Sequence, residues 1–553
     1  MRLHFDRMWS LVSRYRVDRR LPPPVKALLA STLTLRLREA IEQRQRSVLP
    51  VLGRGPSVAA LGPRRLATAG TLPVGLSDLR HDYGHALVTA LAPTGIDSFL
   101  IDRRDDHLVF GVALEERDRA KRALAALDGA AWFVEVVDRS TTRLMTLRSF
   151  AASRRASKAR AWRLFRAYSY GDRAVGREQA AELTFWEEGT SGQLEMIGTR
   201  GHYRFDPRSP AVVEAVEGRD YRGRSAFPVG ANLEHADFDI DVVYTWVDGA
   251  DEAWQRSFRE WAETTGRDLS ENALDRARFR SRDELLYSLR SIWAYAGWVR
   301  RVFVVTAGQR PSWLVDTPQI RVVDHSEILD SSVLPTFNSH VMESALHRID
   351  GLSEHFVYFN DDFFLGRSLR PEFFFTSSGL PRIFHSSAPR PGYVDHHSQD
   401  VDRAAERGAE LLRERFGRVA TSKPFHAPYP QLRSVMAEIE REFPAAVGAT
   451  QASRFRSPTD VSIAASFSQN YALATGRAVL GELSNDYVHV ESGRLGLHLD
   501  RIRLATDIDT FCINETADVG DDVADRERLL AAFLCARFPV AAPWEFGSTG
   551  VLS

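Results

Sequence analysis

Residues 240–249 read IDVVYTWVDG, an apolar run that passes directly into the polar residues Thr245, Asp248 and Gly249. Further apolar segments follow at 300–308 (RRVFVVTAG), 320–328 (IRVVDHSEI) and 355–365 (HFVYFNDDFFL), and 284–298 (ELLYSLRSIWAYAGW) has the periodicity of a helix. Alternating strands and amphipathic helices predict an α/β fold with a mainly parallel sheet. Ligands bind such sheets at the carboxyl ends of the strands, where the polar residues lie.

The rest of the 553-residue chain divides by composition into parts around this pattern. Residues 1–75 are predicted to form a basic, partly helical segment, and 76–235 an α+β accessory region that begins with a hairpin at 98–114. Residues 236–520 carry the α/β pattern, and 521–553 are predicted to form a C-terminal helix and tail. We therefore expect the chemistry to lie in residues 236–520.

Charge and composition exclude several classes of protein. The formal net charge of -1 argues against a nucleic-acid-binding protein. The chain has only two cysteines and no run of about 18 apolar residues, which favours a cytoplasmic protein without a spanning helix. Residues 1–50 hold 11 Arg/Lys against 4 Asp/Glu. This basic segment is either a solvated or partner-binding helix, or a contact with the inner face of the cell membrane or with polysaccharide-export machinery.

Two polar clusters lie at element ends in the α/β region. Asp361 and Asp362 follow a predicted strand, where adjacent carboxylates are suited to hold Mg²⁺ or Mn²⁺ against phosphate oxygens, although an Asn-Asp-Asp turn is the simpler explanation. Residues 278–284 place Arg278 and two further arginines before a predicted helix, together with Asp283. That arrangement suits a diphosphate, or merely supplies first-turn acids to the helix.

Polar residues at three further places complete the candidate site. Asn338 precedes a predicted helix as a cap or a ligand-binding group. His426, at the start of a predicted helical segment, is a candidate proton acceptor or a structural histidine. Arg454 and Arg456 follow it and are candidate phosphate-binding groups. The residues 395–397 (Asp-His-His) fit no strong zinc pattern.

Taken together, these motifs resemble the four blocks of the Stealth family. The blocks correspond to IDVVYTWVDGADEAW, to RFRSRDELLYSLRSIWAYAGW through HFVYFNDDFFLG, to FHAPYPQLRSVMAEIEREFP with RFRSPTDVS, and to DTFCINE. The resemblance covers roughly residues 238–520. Members include bacterial capsular polysaccharide sugar-phosphate transferases and the animal phosphotransferase that marks lysosomal enzymes.

The resemblance implies a Rossmann-like, GT-A-like core that binds a nucleotide-sugar, with a divalent metal, Mg²⁺ or Mn²⁺. Matched residue by residue, it implies His426, Arg456 and Asp361 as catalytic residues and Asp361 and Asp362 as metal ligands. The implied donor-binding residues are Thr245, Trp246, Asp248, Gly249, Arg278, Asp283, Asn338 and Arg454. Two departures leave local roles open: Ser281-Arg282 stands where many members have Asp-Asn, and Asn514-Glu515 where Asn-Asp is usual.

The function implied is transfer of a hexose-1-phosphate from a nucleotide-sugar to a hydroxyl of a glycan acceptor during capsular or cell-surface polysaccharide synthesis. The expected donor is a UDP-sugar. Two alternatives remain open. The same acids would serve a metal-dependent glycosyltransferase that releases a nucleoside diphosphate. The chain would also suit a non-catalytic subunit of a polysaccharide-assembly machine.

Overall fold

A computed structural model describes most of the chain from residue 58 onward. The described residues are 58–61, 64–104, 107–138, 141–171, 173–189, 192–197, 204–265, 279–389, 394, 398–505, 507–515 and 523–546. The predicted basic helix within 1–50, Arg278 and the residues 395–397 lie outside these ranges. Across the described residues, every helix is too short or too polar to traverse a lipid bilayer.

Two sheets carry the candidate site, and their strands are numbered here in chain order. They are β1 (Ile240–Thr245), β2 (Val302–Thr306), β3 (Ile320–Asp324), β4 (His355–Asn360), β5 (Phe363–Leu365), β6 (Tyr429–Leu432), β7 (Asn485–His489) and β8 (Thr510–Asn514). The central sheet has the order β3-β2-β1-β4-β6. Its first four strands are parallel, and β6 is antiparallel to β4. The predicted mainly parallel sheet is confirmed.

The apolar residues of the central strands explain their position. Val243, Val304 and Val357 are completely buried, because helices and neighbouring strands cover both faces of a parallel sheet. The helix Glu284–Tyr295 covers one face with Leu285, Leu289 and Ile292, as its periodicity predicts. The chain is thus a mixed α/β protein, while the GT-A-like character of the core stays a prediction.

The apolar segment 355–365 forms two strands and not the single strand that its composition suggests, although the predicted strand end at Asp361 and Asp362 is confirmed. Strand β4 ends at Asn360, the chain turns at Asp361 and Asp362, and β5 joins a second sheet with the order β5-β8-β7. The turn therefore places both carboxylates between two sheets. Residues from the end of the sequence, on β8, reach the same place through their antiparallel pairing with β5.

Two further boundaries differ from the predictions. The segment 320–328 is a strand only to Asp324, whose side chain caps the short helix His325–Ile328 and forms a capping box with Glu327. His426 does not open a helix: it precedes strand β6, and the helix begins afterwards, at Arg433. Because β6 is antiparallel to its neighbour, its first residues lie at the same edge as the carboxyl ends of the parallel strands.

The accessory region contains a ten-stranded mixed sheet, and the hairpin predicted at 98–114 is confirmed. Its strands are Phe99–Arg104, His107–Ala113, Trp132–Val137, Thr142–Thr146, Ala161–Arg166, Ala181–Glu188, Leu194–Met196, Arg204–Phe205, Ala211–Val216 and Arg219–Arg224. A four-stranded sheet comprises Val58–Leu61, Arg64–Ala67, Tyr168–Tyr170 and Arg173–Val175. One hydrophobic core continues from Leu66 to Trp544. The division at residues 75, 235 and 520 stays a prediction.

The remaining elements are helices and short strands around these sheets. The helices are Leu79–Leu91, Arg117–Ala125, Leu147–Ala152, Glu252–Thr265, Ser339–Glu343, Pro371–Phe374, Asp400–Phe416, Arg433–Glu442, Pro444–Gln451, Ser468–Ala474, Leu495–Leu504 and Val523–Arg537. The short strands are Arg382–Ile383, His385–Pro389, Ser422–Pro424 and Val479–Leu480. The helix Val523–Arg537 agrees with the predicted C-terminal helix.

A charged cluster around Glu217 supports a prediction about acid stability. Glu217 accepts a hydrogen bond from His81 at 2.8 Å and pairs with Arg80 and, at 3.0 Å, with Arg103. Burial raises the pKa of Glu217, but the bond from His81 and the two arginines outweigh it and bring the pKa down to about 2. Glu217 therefore stabilises the fold above its unfolded pKa of about 4.3, and this contribution is lost as the pH falls towards 2.

We expect Glu217→Gln to lower the free energy of unfolding by about 3 kcal/mol at pH 7, because buried guanidinium groups lose their carboxylate. Urea unfolding of both proteins from pH 7 to pH 3 should show the difference shrinking below about pH 4. Asp206→Asn, which removes an exposed carboxylate paired with Arg208, is the control and should leave the unfolding curve unchanged. A difference that persists undiminished at pH 3 would contradict the assignment.

Candidate functional site

A cavity of about 590 Å³ opens at the carboxyl edge of the central sheet. The ends of five strands contribute to it in the order of the sheet: His325 after β3, Ala307 after β2, Trp246 after β1, Asp361 after β4 and His426 before β6. Of the residues that the sequence assigned to the site, the cavity wall includes Thr245, Trp246, Asp361, Asp362, His426, Arg456, Asn514 and Glu515. Residues from five separated stretches of sequence thus meet in one place.

The floor of the cavity is acidic. Enclosure by the protein raises the pKa of Asp361 well above its usual range, and the neighbouring charges of Asp362 and Glu284 raise it further. Glu284 is itself buried, and burial raises its pKa too. Such mutual repulsion favours either a proton or a cation between the carboxylates.

His426 lies beside this acidic floor. Its Nε2 atom is 3.6 Å from Asp362 Oδ2 and 3.5 Å from Asn514 Nδ2, and Asn514 donates to Asp362 at 3.1 Å. The ring packs edge-on against Phe363, and the Tyr429 hydroxyl lies 3.4 Å from Nδ1. These contacts fix the imidazole while leaving it partly open to the cavity. His426 is thus placed to exchange a proton with a bound molecule.

Arg456 supplies positive charge and forms no ion pair with a carboxylate within the part of the chain that the structure describes. Its Nη2 atom donates a single long hydrogen bond of 3.5 Å to Ser339 Oγ, and its buried Nε has no partner among the described residues. Burial lowers the pKa of Arg456, while the carboxylate of Glu343 on the cavity wall acts in the opposite direction. A buried, weakly bonded guanidinium is a ready site for an anion such as phosphate.

A second basic group borders the cavity near the start of the helix Glu284–Tyr295. Arg282 Nη2 donates to Glu515 Oε2 at 2.7 Å, and Arg280 Nη1 lies 3.4 Å from Glu515 Oε1. The side chain of Glu515 is only 8% exposed, so this ion pair is largely removed from water. Two of the departures from the family pattern, Arg282 and Glu515, are therefore partners of one another.

This pairing gives Glu515 a structural role that can be tested. We expect Glu515→Gln to lower the free energy of unfolding by about 3 kcal/mol, because the largely buried Arg282 would keep only its longer contacts with Glu284 at 3.8 Å and Glu527 at 3.6 Å. Glu515→Asp, which keeps the charge, should lose less, and Asp350→Asn at an exposed ion pair should lose nothing measurable. Thermal or urea unfolding measures the difference. An unchanged stability with abolished turnover would instead make Glu515 a catalytic group.

Five predicted donor-binding residues do not line the cavity. They are Asp248, Gly249, Asp283, Asn338 and Arg454, and Arg278 lies outside the described residues. Asn338 is completely buried, caps the helix Ser339–Glu343 and donates to Asp460 at 2.8 Å. Arg454 donates to the carbonyls of Ser332 and Leu334 and stacks on Trp261 at 4.0 Å. For Asn338 the capping alternative is the one the structure shows.

The other three residues shape the loops beside the cavity. Asp248 Oδ1 accepts from the amide of Ala250 at 2.8 Å, which closes a turn. Gly249 is required by close packing, because an added Cβ would lie 2.3 Å from the carbonyl oxygen of Phe279. Asp283 adopts a left-handed conformation with φ of 61° at the start of its helix and makes no side-chain cap. These residues position the binding groups and do not border the cavity themselves.

Several cavity residues escaped the sequence analysis as site residues. Glu343 and His325 lie within short helices, where polar residues are unremarkable, and Tyr487 lies on β7, far along the chain. Glu284 was interpreted only as a first-turn acid. The position of Glu284 directly after the arginines was a usable signal, since Arg280, Arg282 and Glu284 all line the cavity.

The acidic floor fits a hard divalent cation. Asp362 Oδ1 is buried without a hydrogen-bond partner among the described residues, and Asp361 and Asp362 offer the oxygen ligands that Mg²⁺ and Mn²⁺ prefer. Ligand atoms of Asp362, His426 and Cys512 also lie within 4.8 Å of one another. However, burial raises the pKa of the Cys512 thiol well above its usual range, which disfavours the thiolate that a softer metal would need.

The fold and cavity thus define an α/β protein with an acidic and basic site at the carboxyl edge of a parallel sheet. Models of the Stealth protein conserved regions match in order: region 1 at residues 238–263, region 2 at 278–383, region 3 at 425–473 and region 4 at 500–549. The chain belongs to the Stealth family.

Named relatives agree with the family models. An exopolysaccharide phosphotransferase of Streptomyces coelicolor is 39% identical over 566 residues, covering 96% of this chain and 95% of the relative. A second from that organism is 37% identical over 484 residues, covering 83% and 89%. The exopolysaccharide phosphotransferase CpsY of Mycobacterium tuberculosis is 41% identical over 314 residues, covering 56% and 58%. The similarity to the first relative thus extends into the accessory region.

Proposed function

We propose that this protein transfers a hexose-1-phosphate from a nucleotide-sugar to a hydroxyl of a glycan acceptor, forming a phosphodiester in exopolysaccharide synthesis. The observation that carries the proposal is the convergence of His426, two carboxylates and the unpaired Arg456 in one cavity. Phosphoryl transfer requires a proton acceptor, charge neutralisation and positioning, and the cavity contains groups for each. The relatives described above are named exopolysaccharide phosphotransferases, which supports phosphotransfer as the reaction.

In this mechanism His426 acts on the acceptor. Its Nε2 atom accepts the proton of the acceptor hydroxyl, and the hydroxyl oxygen attacks the phosphorus that bears the sugar. The new P–O bond forms as the bond to the bridging oxygen of the diphosphate breaks, so a nucleoside monophosphate leaves and the sugar keeps its phosphate. Asp362, 3.6 Å from Nε2, stabilises the imidazolium that results.

The cationic groups act on the phosphates. Arg456 lies free to bind the equatorial oxygens of the transferred phosphoryl group, where charge is distributed in the transition state. Asp361 and Asp362 would hold Mg²⁺ or Mn²⁺, which when bound neutralises diphosphate charge. The proposed donor is a UDP-sugar and the proposed acceptor is a glycan. We place the reaction in the cytoplasm, with the basic N-terminal residues available for contact with a membrane or with export machinery.

The released nucleotide tests this proposal. Purified protein is incubated with a panel of nucleotide-sugars, Mg²⁺ or Mn²⁺ and mixed glycan acceptors, and the nucleotide product is identified by chromatography. We expect UMP or another monophosphate, released only when metal and acceptor are both present. Release of UDP or another diphosphate would replace the proposal with glycosyl transfer. Donor binding without turnover across a broad acceptor panel would favour the assembly subunit.

A further inference from the structure

We infer that His325 binds the nucleobase of the donor and selects among bases by a hydrogen bond with its imidazole Nε2 atom. This inference rests on the proposed function, because it assumes that the cavity takes a nucleotide-sugar. It concerns the end of the cavity opposite His426, which the proposed mechanism does not use.

The strand order fixes the separation of the two ends. From β4, which ends at the acidic floor, the sheet continues through β1 and β2 to β3, which ends at His325. Three strand spacings correspond to about 14 Å. A nucleoside diphosphate laid along the edge spans a comparable length. With its phosphates at Asp361 and Arg456, its base therefore lies near the end of β3.

The acceptor takes the other direction. His426 precedes β6, which lies on the far side of β4 from β1, β2 and β3. If His426 receives the proton of the acceptor hydroxyl, the acceptor enters on the β6 side. The donor nucleoside is then left with the side that contains Trp246, Ala307 and His325. The small side chain of Ala307 leaves room for a ring between the other two.

His325 has the properties of a binding group and not of a packing residue. It is only 5% exposed, it lines the cavity, and its Nε2 atom is buried with no hydrogen-bond partner among the described residues. A buried polar atom without a partner costs stability, so a ligand that supplies the partner gains that free energy back. The imidazole nitrogen can pair with a carbonyl, an imide N–H or an exocyclic amino group of a base.

The charge state of His325 suits a base better than a phosphate. Burial lowers the pKa of His325 to about 4, although the adjacent Asp324 acts in the opposite direction. The imidazole is therefore neutral at pH 7 and offers no ionic attraction to a phosphate. Asp324 is itself engaged as a helix cap, with Oδ1 accepting from the amide of Ser326 at 2.9 Å. An uncharged polar edge is the ligand chemistry that fits.

The wall beside His325 is also held in place. Gln309, two residues beyond Ala307, accepts from the amide of Asp248 and donates to its carbonyl, both at 2.9 Å. These two hydrogen bonds tie the loop after β2 to the loop after β1, which contains Trp246. A rigid pocket loses little freedom on binding, so a single hydrogen bond within it discriminates effectively.

Binding of nucleoside diphosphates tests the inference without requiring turnover. Dissociation constants of UDP, CDP, GDP, ADP and inorganic pyrophosphate are measured by calorimetry with Mg²⁺ for the full chain and for His325→Phe and His325→Gln. The matched control is His347→Gln, since His347 is equally buried but binds Glu440 at 2.9 Å and does not line the cavity. Thermal unfolding of each variant verifies folding.

We expect His325→Phe to weaken the tightest-binding nucleoside diphosphate by about 10- to 100-fold and to reduce the spread among bases, with pyrophosphate unchanged. His325→Gln should restore part of the preference, and His347→Gln should leave all affinities unchanged. A base preference that survives in folded His325→Phe overturns this inference but leaves the proposed function standing. Equal weakening of pyrophosphate overturns it as well, because His325 would then act on the phosphates. Wild-type protein that binds no nucleotide overturns the proposed function together with it.

Discussion

With His426 replaced by glutamine, we expect kcat to fall by about 10²- to 10⁴-fold, because the acceptor hydroxyl loses its proton acceptor. The donor dissociation constant should change by less than about threefold, since the phosphates are held by other residues. Glutamine keeps a polar side chain at this position. His426 Nε2 lies 3.6 Å from Asp362 Oδ2 and 3.5 Å from Asn514 Nδ2, so a glutamine amide can contact the same two residues. Single-turnover phosphodiester formation and donor binding, measured separately, give the two quantities.

The control for this substitution is His498→Gln. His498 also pairs with a carboxylate, with Nε2 2.8 Å from Asp486 Oδ1, but it does not line the cavity. Its replacement should leave kcat unchanged. If His426→Gln retains more than about a tenth of wild-type kcat, the proton acceptor is another group, and Asp361 or Asp362 becomes the first candidate.

Replacing Arg456 by methionine should lower kcat by about 10²- to 10³-fold, because a preorganised cation no longer faces the transferred phosphoryl group. The melting temperature should stay the same or rise, since the substitution removes a buried guanidinium with one long hydrogen bond and no ion-pair partner among the described residues. Turnover assays and thermal unfolding of the same preparation measure both effects.

Arg454→Met is the matched control and should show the opposite pattern. Arg454 holds two backbone carbonyls and stacks on Trp261, outside the cavity, so its loss should lower the melting temperature and leave kcat nearly intact. If both variants lose stability and activity together, Arg456 serves to maintain the fold and does not bind phosphate. The two arginines are only two positions apart, so the comparison separates chemistry from packing.

The central sheet could be predicted because its strands have continuous apolar sequences and strong helical periodicity separates them. Strand β6 could not be predicted, since YPQL contains a proline and a glutamine. Its position at the sheet edge tolerates Pro430, and Gln431, although buried, donates to the carbonyl of Ala464 at 2.7 Å. A turn at Asp361 and Asp362 was one of the two interpretations that the sequence left open. The continuation of the chain as β5 in a second sheet could not be predicted, because apolar residues on both sides of the aspartates suggest one uninterrupted strand.

The candidate site was predictable where residues follow strands directly, as Thr245, Trp246, Asp361 and Asp362 do. It was not predictable where a polar residue serves the backbone of a distant loop. Asn338 and Arg454 have the residue types of ligand-binding groups, yet their partners are more than 110 positions away in sequence, and only the tertiary structure reveals them. His325 shows the reverse case, since its missing partner becomes visible only once the cavity surrounds it.

The pairing of β8 with β5, and of Glu515 with Arg282, makes activity a late event in synthesis. Glu515 follows Arg282 by 233 positions, so at about 5–20 residues per second the ribosome adds it roughly 10–50 s later. Late in that interval the nascent chain contains His325, the two aspartates and His426, but it still lacks Asn514 and Glu515, which pairs with Arg282 at 2.7 Å. A chain interrupted in translation before Thr510 would therefore be released without a complete site.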